Sequence, residues 1–130
     1  MESRITEEEI SELVDTFYAK VRKDPLIGPI FNETVEDWDY HLHLLKDFWS
    51  TVMLGTGRYK GSPPIAHFNL PIEGKHFDRW LEMFEETTKE VMPPTHAAMI
   101  SERAQNIGAN MKRMLSFRPM EMFSTQTGAR

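Results

Sequence analysis

The chain of 130 residues contains no cysteine. This absence excludes disulfides, iron–sulfur clusters and thiolate zinc sites. No apolar run reaches the roughly 18 residues that a membrane-spanning helix needs, and the opening sequence MESRITEEEI is polar and acidic, unlike a secretory signal. We therefore expect a cytoplasmic protein that is not inserted in a membrane.

Basic residues are in the minority, with 15 Lys and Arg against 20 Asp and Glu, which gives a net charge of −5. This balance argues against a surface that binds nucleic acid or anionic lipid. Hydrophobic residues make up 40% of the chain and charged residues 27%, as in ordinary globular proteins. The length predicts a single domain over residues 1–130, with a core from about 6 to 115 and a polar tail at 116–130.

No segment alternates between polar and apolar residues with a period of two, so we expect an all-α protein. Thr6 and Glu9 have the spacing of a capping box, which predicts the start of the first helix. Asp24-Pro25 should end that helix. A turn-rich corner is expected to follow at 25–31, after which Thr34 would cap the second helix.

Apolar residues at helical spacing predict three longer helices after the corner. The second helix of the chain extends to a glycine-rich break at Gly55, a later helix ends before Pro93-Pro94, and the last begins near Thr95. Between them, residues 55–71 are dense in glycine and proline. Loops of this length in compact proteins are usually functional.

Several kinds of catalytic site find little support in the sequence. Neither a Ser nucleophile motif nor a phosphate-binding loop is present, and GTGRYKG follows a helix instead of a strand. A zinc site needs three or four ligands, but His41 and His43 cannot share one face of a helix. The single Glu-x-x-His match, Glu73 to His76, contains a glycine and has no second copy for a di-iron bundle.

A haem site demands less, because one imidazole and an apolar slot can hold it. His67 lies in PPIAHFNLP, where prolines stiffen the chain and apolar residues surround the ring. His41 lies on the apolar face of the second predicted helix, and Tyr18 and Trp80 each carry a polar atom that needs a partner when buried. From these residues alone, haem ligation and burial in an ordinary core both stay open for His67 and His41.

The combination of three stretches resembles the truncated haemoglobins, and specifically their third group. These stretches are FYAKVRKDPLIGPIF at 17–31, WDYHLHLLKDFWSTVMLGTGRYKGSPPIAHFNLP at 38–71, and HFDRWLEMFEE at 76–86. The resemblance covers most of the chain from about residue 10 to residue 115. It implies a truncated globin-like fold, in which helices pack two over two around one haem b, the iron protoporphyrin IX.

The resemblance also implies roles for individual residues. His67 matches the proximal iron ligand, and Tyr18 and Trp80 match the distal residues that donate hydrogen bonds to the bound gas. Further residues match the walls of the haem pocket: His41 at the distal helix position, Leu45 beside it over the porphyrin, and Phe31 against the haem face.

A haem with one histidine ligand binds O2, CO or NO. Two distal donors would hold O2 by hydrogen bonds worth roughly 1.5–3 kcal/mol each, which favours slow release. The first hypothesis is therefore O2 and NO redox chemistry or detoxification, such as NO dioxygenase or peroxidase-like activity, with electrons from a separate reductase. The alternatives are reversible O2 binding or ligand sensing without turnover, and a helical interaction module without a cofactor.

Overall fold

The computed structural model describes residues 4–61 and 72–116, and regular secondary structure in these ranges is entirely helical. This confirms the predicted all-α class. The helices are α1 (Glu7–Val21), α2 (Gly28–Thr34), α3 (Trp38–Leu54), α4 (Gly74–Val91) and α5 (Pro94–Ser116).

The first helix begins at the predicted capping box. The Glu9 N–H donates to the Thr6 hydroxyl oxygen over 3.1 Å, and the Thr6 N–H donates to the Glu9 carboxylate over 2.9 Å. The two bonds satisfy backbone donors that the first turn leaves open. Along α1, the apolar positions share one buried face, formed by Ile10, Leu13, Val14, Phe17, Tyr18 and Val21.

The corner at 25–31 differs from the expectation, because its second half is helical. α2 spans Gly28–Thr34 and has Pro29 in its first turn, where a proline costs no hydrogen bond. Thr34 therefore ends α2 and does not cap the next helix. That cap is Asp37, whose carboxylate accepts the Tyr40 N–H over 3.1 Å.

The remaining helix boundaries follow local signals in the sequence. α3 ends at Gly55, which adopts the left-handed conformation with φ of 69°, a geometry that favours glycine. At the start of α4, the Glu73 N–H donates to His76 Nδ1 over 2.8 Å. The same helix ends before Pro93-Pro94, and Pro94 opens α5.

Packing pairs α1 with α3 and α4 with α5, and contacts between α1 and α4 join the two pairs. This is the two-over-two arrangement of a truncated globin. An aromatic stack crosses the junction: Phe84 stacks on Trp49 of α3 with centroids 5.2 Å apart, and Phe17 of α1 meets Phe84 edge-on at 5.2 Å. Within the described residues, no helix is both long enough and apolar enough to span a membrane.

Candidate functional site

Tyr18 and Trp80 meet where α1 crosses α4. The Trp80 indole Nε1–H donates to the Tyr18 hydroxyl oxygen over 3.3 Å. Phe17 supports both rings edge-on, with centroids 4.7 Å from Tyr18 and 5.3 Å from Trp80. Phe84 stacks beneath Trp80 at 4.9 Å. The two polar side chains singled out from the sequence are thus held together by an apolar, rigid support.

The Tyr18 hydroxyl is buried, since only 3% of the residue is exposed. Burial raises the pKa of the phenol well above its ordinary value, and the hydrogen bond from Trp80 opposes this only in part. The group is therefore a neutral O–H donor at pH 7. Among residues 4–61 and 72–116, hydrogen bonds give this hydroxyl a donor, Trp80, but no acceptor for its own proton. It is consequently available to donate to a ligand beside it.

Three more rings from α2 and α3 surround Tyr18. The centroid of Phe31 lies 5.7 Å from it, that of Trp38 6.2 Å and that of His41 6.4 Å. His41 also meets Trp38 edge-on at 5.5 Å. The structure therefore brings together four of the residues expected at the site, namely Tyr18, Phe31, His41 and Trp80.

Several apolar side chains that pack against the buried core are themselves only half-buried. Leu45 belongs to this set, one turn after His41 on α3. Its other members on α2, α3, α4 and α5 include Phe31, Trp38, Leu42, Phe48, Val52, Trp80 and Ile107. Apolar surface that stays partly exposed in this way can be covered by a ligand.

His67 falls in residues 62–71, outside the described part of the chain, so its proposed role as a ligand stays a prediction. The described loop at 55–61 leads toward it and is tied to the helices. The Glu7 carboxylate accepts one hydrogen bond from the Ser50 hydroxyl over 2.9 Å and lies 3.2 Å from Arg58 Nη1. Tyr59 packs edge-on against Phe48 with centroids 5.2 Å apart.

Two features of the site were missed at the sequence level. Trp38 lies among the site rings, and Arg22 stacks over its face at 4.5 Å. Asp24, which was predicted only to end a helix, forms an ion pair with Arg79 of α4. The signal for Asp24 was present in part, because an aspartate before a Pro-x-x-Gly-Pro corner often accepts backbone N–H groups. Its partner could not be read from spacing.

Comparisons with known proteins agree with this geometry. Residues 5–114 match the family model described as bacterial-like globin. The chain is 38% identical to the group 3 truncated haemoglobin Ctb of Campylobacter jejuni over 116 residues, 85% of this chain and 91% of the relative. It is 32% identical to the group 2 truncated haemoglobin YjbI of Bacillus subtilis over 90 residues, 67% of each chain.

A crystal structure of the group III truncated haemoglobin from Campylobacter jejuni superposes with a TM-score of 0.82 at 38% identity, covering 88% of this chain and 94% of that one. The chain belongs to the bacterial-like globin family, and the match to the Campylobacter protein and its structure places it among the group III truncated haemoglobins. Membership of the family implies a haem cofactor and binding of a diatomic gas.

The described residues fit a haem on their own chemistry. A flat apolar macrocycle would cover half-buried side chains of α3, such as Leu45 and Phe48, whose exposure is otherwise unfavourable. A small polar ligand beside it would give the Tyr18 hydroxyl the acceptor that its proton lacks among the described residues. His41, which borders the Tyr18 ring, shares a face of α3 with Leu45 and Phe48 by helical spacing.

Proposed function

We propose that the chain binds haem b with His67 as the proximal ligand and holds O2 in a polar distal pocket for redox chemistry with NO or a related substrate. The observation that carries this proposal is the buried Tyr18 hydroxyl, which accepts from Trp80 over 3.3 Å and keeps its own proton for a ligand. When bound, the haem supplies an iron that coordinates O2, CO or NO.

The residues of this chain would act mainly as hydrogen-bond donors. The Tyr18 phenol stays protonated because burial raises its pKa, so it can donate to a ligand that carries partial negative charge. Charge-assisted bonds of this kind contribute roughly 1.5–3 kcal/mol. Trp80 orients the phenol through its hydrogen bond to the Tyr18 hydroxyl. Its own indole N–H is near enough to turn toward the same ligand.

Pocket walls would control orientation and access. Phe31 and Leu45 contribute apolar surface from α2 and α3, and His41 borders the rings of both Tyr18 and Trp38. An imidazole at this place can swing to admit or retain a ligand. These roles for Phe31, Leu45 and His41 belong to the proposal.

Absorption spectra of the purified protein in its ferric, ferrous and CO-bound forms test the cofactor and its ligand. We expect a strong Soret band and a ferrous–CO spectrum typical of histidine ligation. His67→Ala should lose or loosen the haem unless imidazole is added, whereas His43→Ala, at an exposed position of α3, should bind haem normally. A normal spectrum in His67→Ala, with loss in His41→Ala, would reverse the proximal and distal assignments.

Single-turnover consumption of NO separates this function from reversible O2 binding or ligand sensing. Chemistry with NO requires the O2-loaded protein to convert NO to nitrate in one fast turnover, and repeated turnover requires an external reductase. Stable O2 binding without NO consumption would instead support the reversible function.

A further inference from the structure

Asp24 is a buried carboxylate with four hydrogen bonds, and it lies at the corner between α1 and α2. Its Oδ2 atom accepts the backbone N–H groups of Leu26 over 3.0 Å and Ile27 over 3.1 Å. Its Oδ1 atom accepts two N–H groups of Arg79, from Nε over 3.0 Å and from Nη2 over 2.7 Å. Only 3% of the Asp24 side chain is exposed, so the carboxylate is fully committed to these bonds.

Arg79 reaches this corner from α4. Its second terminal nitrogen donates to Glu82 over 2.7 Å, which holds the guanidinium from the solvent side. The two carboxylates keep the guanidinium between them, and hydrogen bonds from Arg79 and from the corner backbone lower the pKa of Asp24 although its burial alone would raise it. Asp24 and Arg79 are therefore both charged at neutral pH.

The position of this pair matters because it borders the distal residues on three helices. Arg79 directly precedes Trp80 on α4. Asp24 follows the α1 turn that carries Tyr18. Its carboxylate holds the two residues directly before α2, the helix whose Phe31 packs against Tyr18 at 5.7 Å. The Asp24 carboxylate thus fixes the positions of α2 and α4 relative to α1.

The corner has little freedom to adjust by itself. A Cβ atom on Gly28 would lie 2.9 Å from the Val21 carbonyl oxygen, so the start of α2 already touches the end of α1. The Asn32 side chain also donates to the Arg22 carbonyl over 2.9 Å. Loss of the Arg79 bonds therefore removes a polar link between α4 and this corner.

We propose that Asp24 and Arg79 are a positioning pair that holds Trp80 Nε1 within hydrogen-bonding distance of the Tyr18 hydroxyl, and thereby orients the distal donors. The Trp80–Tyr18 distance of 3.3 Å is at the long end for an N–H···O bond, and at about 3.6 Å the bond is lost. A displacement of α4 by a few tenths of an ångström therefore breaks it. The inference rests on the proposed function, since it concerns the same two donors.

Tryptophan indole NMR signals test this directly in the haem-loaded, CO-bound protein. The three tryptophans, Trp38, Trp49 and Trp80, are labelled with 15N and assigned by single Trp→Phe variants. Tyr18→Phe removes the acceptor and so marks the position of the Trp80 signal without its bond. In Arg79→Ala, we expect the Trp80 signal to move toward that position. Arg79→Lys keeps the positive charge but cannot donate the two hydrogen bonds of the guanidinium, so we expect its Trp80 signal to move part of the way.

Lys112→Ala is the matched control. It breaks an exposed ion pair of 3.1 Å between Lys112 and Asp78, one residue before Arg79, and should leave the Trp80 signal unchanged. The C–O stretching frequency and the O2 release rate of Arg79→Ala should also change, with release faster by about 2- to 12-fold, the equivalent of one ordinary hydrogen bond.

A wild-type Trp80 signal in Arg79→Ala overturns the positioning role, whatever happens to the melting temperature. If Arg79→Ala does not fold, Arg79→Lys decides in the same way: a displaced signal supports the role and a wild-type signal refutes it. The indole signal reports on the Trp80–Tyr18 bond and not on gas release. A displaced Trp80 signal in Arg79→Ala, together with unaltered O2 release in Tyr18→Phe, would therefore support the positioning role of Asp24 and Arg79 and refute the proposed distal function.

Discussion

Tyr18→Phe isolates one hydroxyl at the centre of the candidate site. The ring contacts at 4.7 Å with Phe17 and 5.7 Å with Phe31 survive the change, because phenylalanine has the same ring. The fold loses only the long hydrogen bond from Trp80, so the free energy of unfolding should fall by no more than about 1.5 kcal/mol.

The effect on O2 should be larger than the effect on stability. If the buried phenol donates to O2, its loss removes a charge-assisted bond of roughly 1.5–3 kcal/mol. Since about 1.4 kcal/mol corresponds to a factor of ten, O2 release should become roughly 10- to 150-fold faster. CO release should change much less, because bound CO carries little negative charge.

Stopped-flow displacement of O2 by CO measures the release rate. Tyr59→Phe is the matched control, since Tyr59 packs on Phe48 in the loop after α3, away from the Trp80–Tyr18 bond. Trp80 can turn toward the ligand when Tyr18 is changed, so the Tyr18→Phe, Trp80→Phe double variant completes the test. Equal O2 release in the wild type and the double variant would refute a polar distal pocket and weaken the case for redox chemistry.

Three further predictions follow from the described residues. His41→Ala should alter the CO association rate more than haem retention, because the imidazole borders the Tyr18 ring, and an unchanged association rate in flash photolysis would contradict gating. Gly28→Ala should destabilise the fold by about 1–3 kcal/mol in urea unfolding, because its Cβ would lie 2.9 Å from the Val21 carbonyl oxygen and 3.0 Å from that of Arg22. Gly74→Ala, whose Cβ would meet only a flexible lysine at 3.5 Å, should not destabilise it. Equal losses in the two variants would argue against crowding at the corner. The pKa of Glu9 is lowered, because hydrogen bonds from His96 and the helix cap outweigh its burial. Its contribution to stability is therefore complete above the ordinary carboxyl pKa of about 4.3 and is lost as the pH falls through the lowered value. Glu9→Gln should flatten the dependence of the unfolding midpoint on pH in that acid range, and an unaltered slope would show that another group is responsible.

Signals that act over three or four residues were readable from the sequence. The Thr6–Glu9 capping box, the stop at Gly55 and the end of α4 before Pro93-Pro94 all appear in the structure as predicted. Each depends on bonds or dihedral angles within one turn of helix, which the spacing of residue types determines. The family resemblance came from the same linear information, and the comparisons confirm it.

The resemblance placed Tyr18 and Trp80 at one distal site, but only the tertiary structure decided which distant side chains bond to each other. Tyr18 and Trp80 bond across 62 positions of sequence, and Asp24 and Arg79 across 55. The helical α2 was missed for the same reason. The Asp24 carboxylate, which accepts backbone N–H groups just before α2, is held in place by Arg79 of α4. Local propensity at a short, proline-containing corner is weak, so packing between α1 and α4 settles both its conformation and the partners of its buried polar groups.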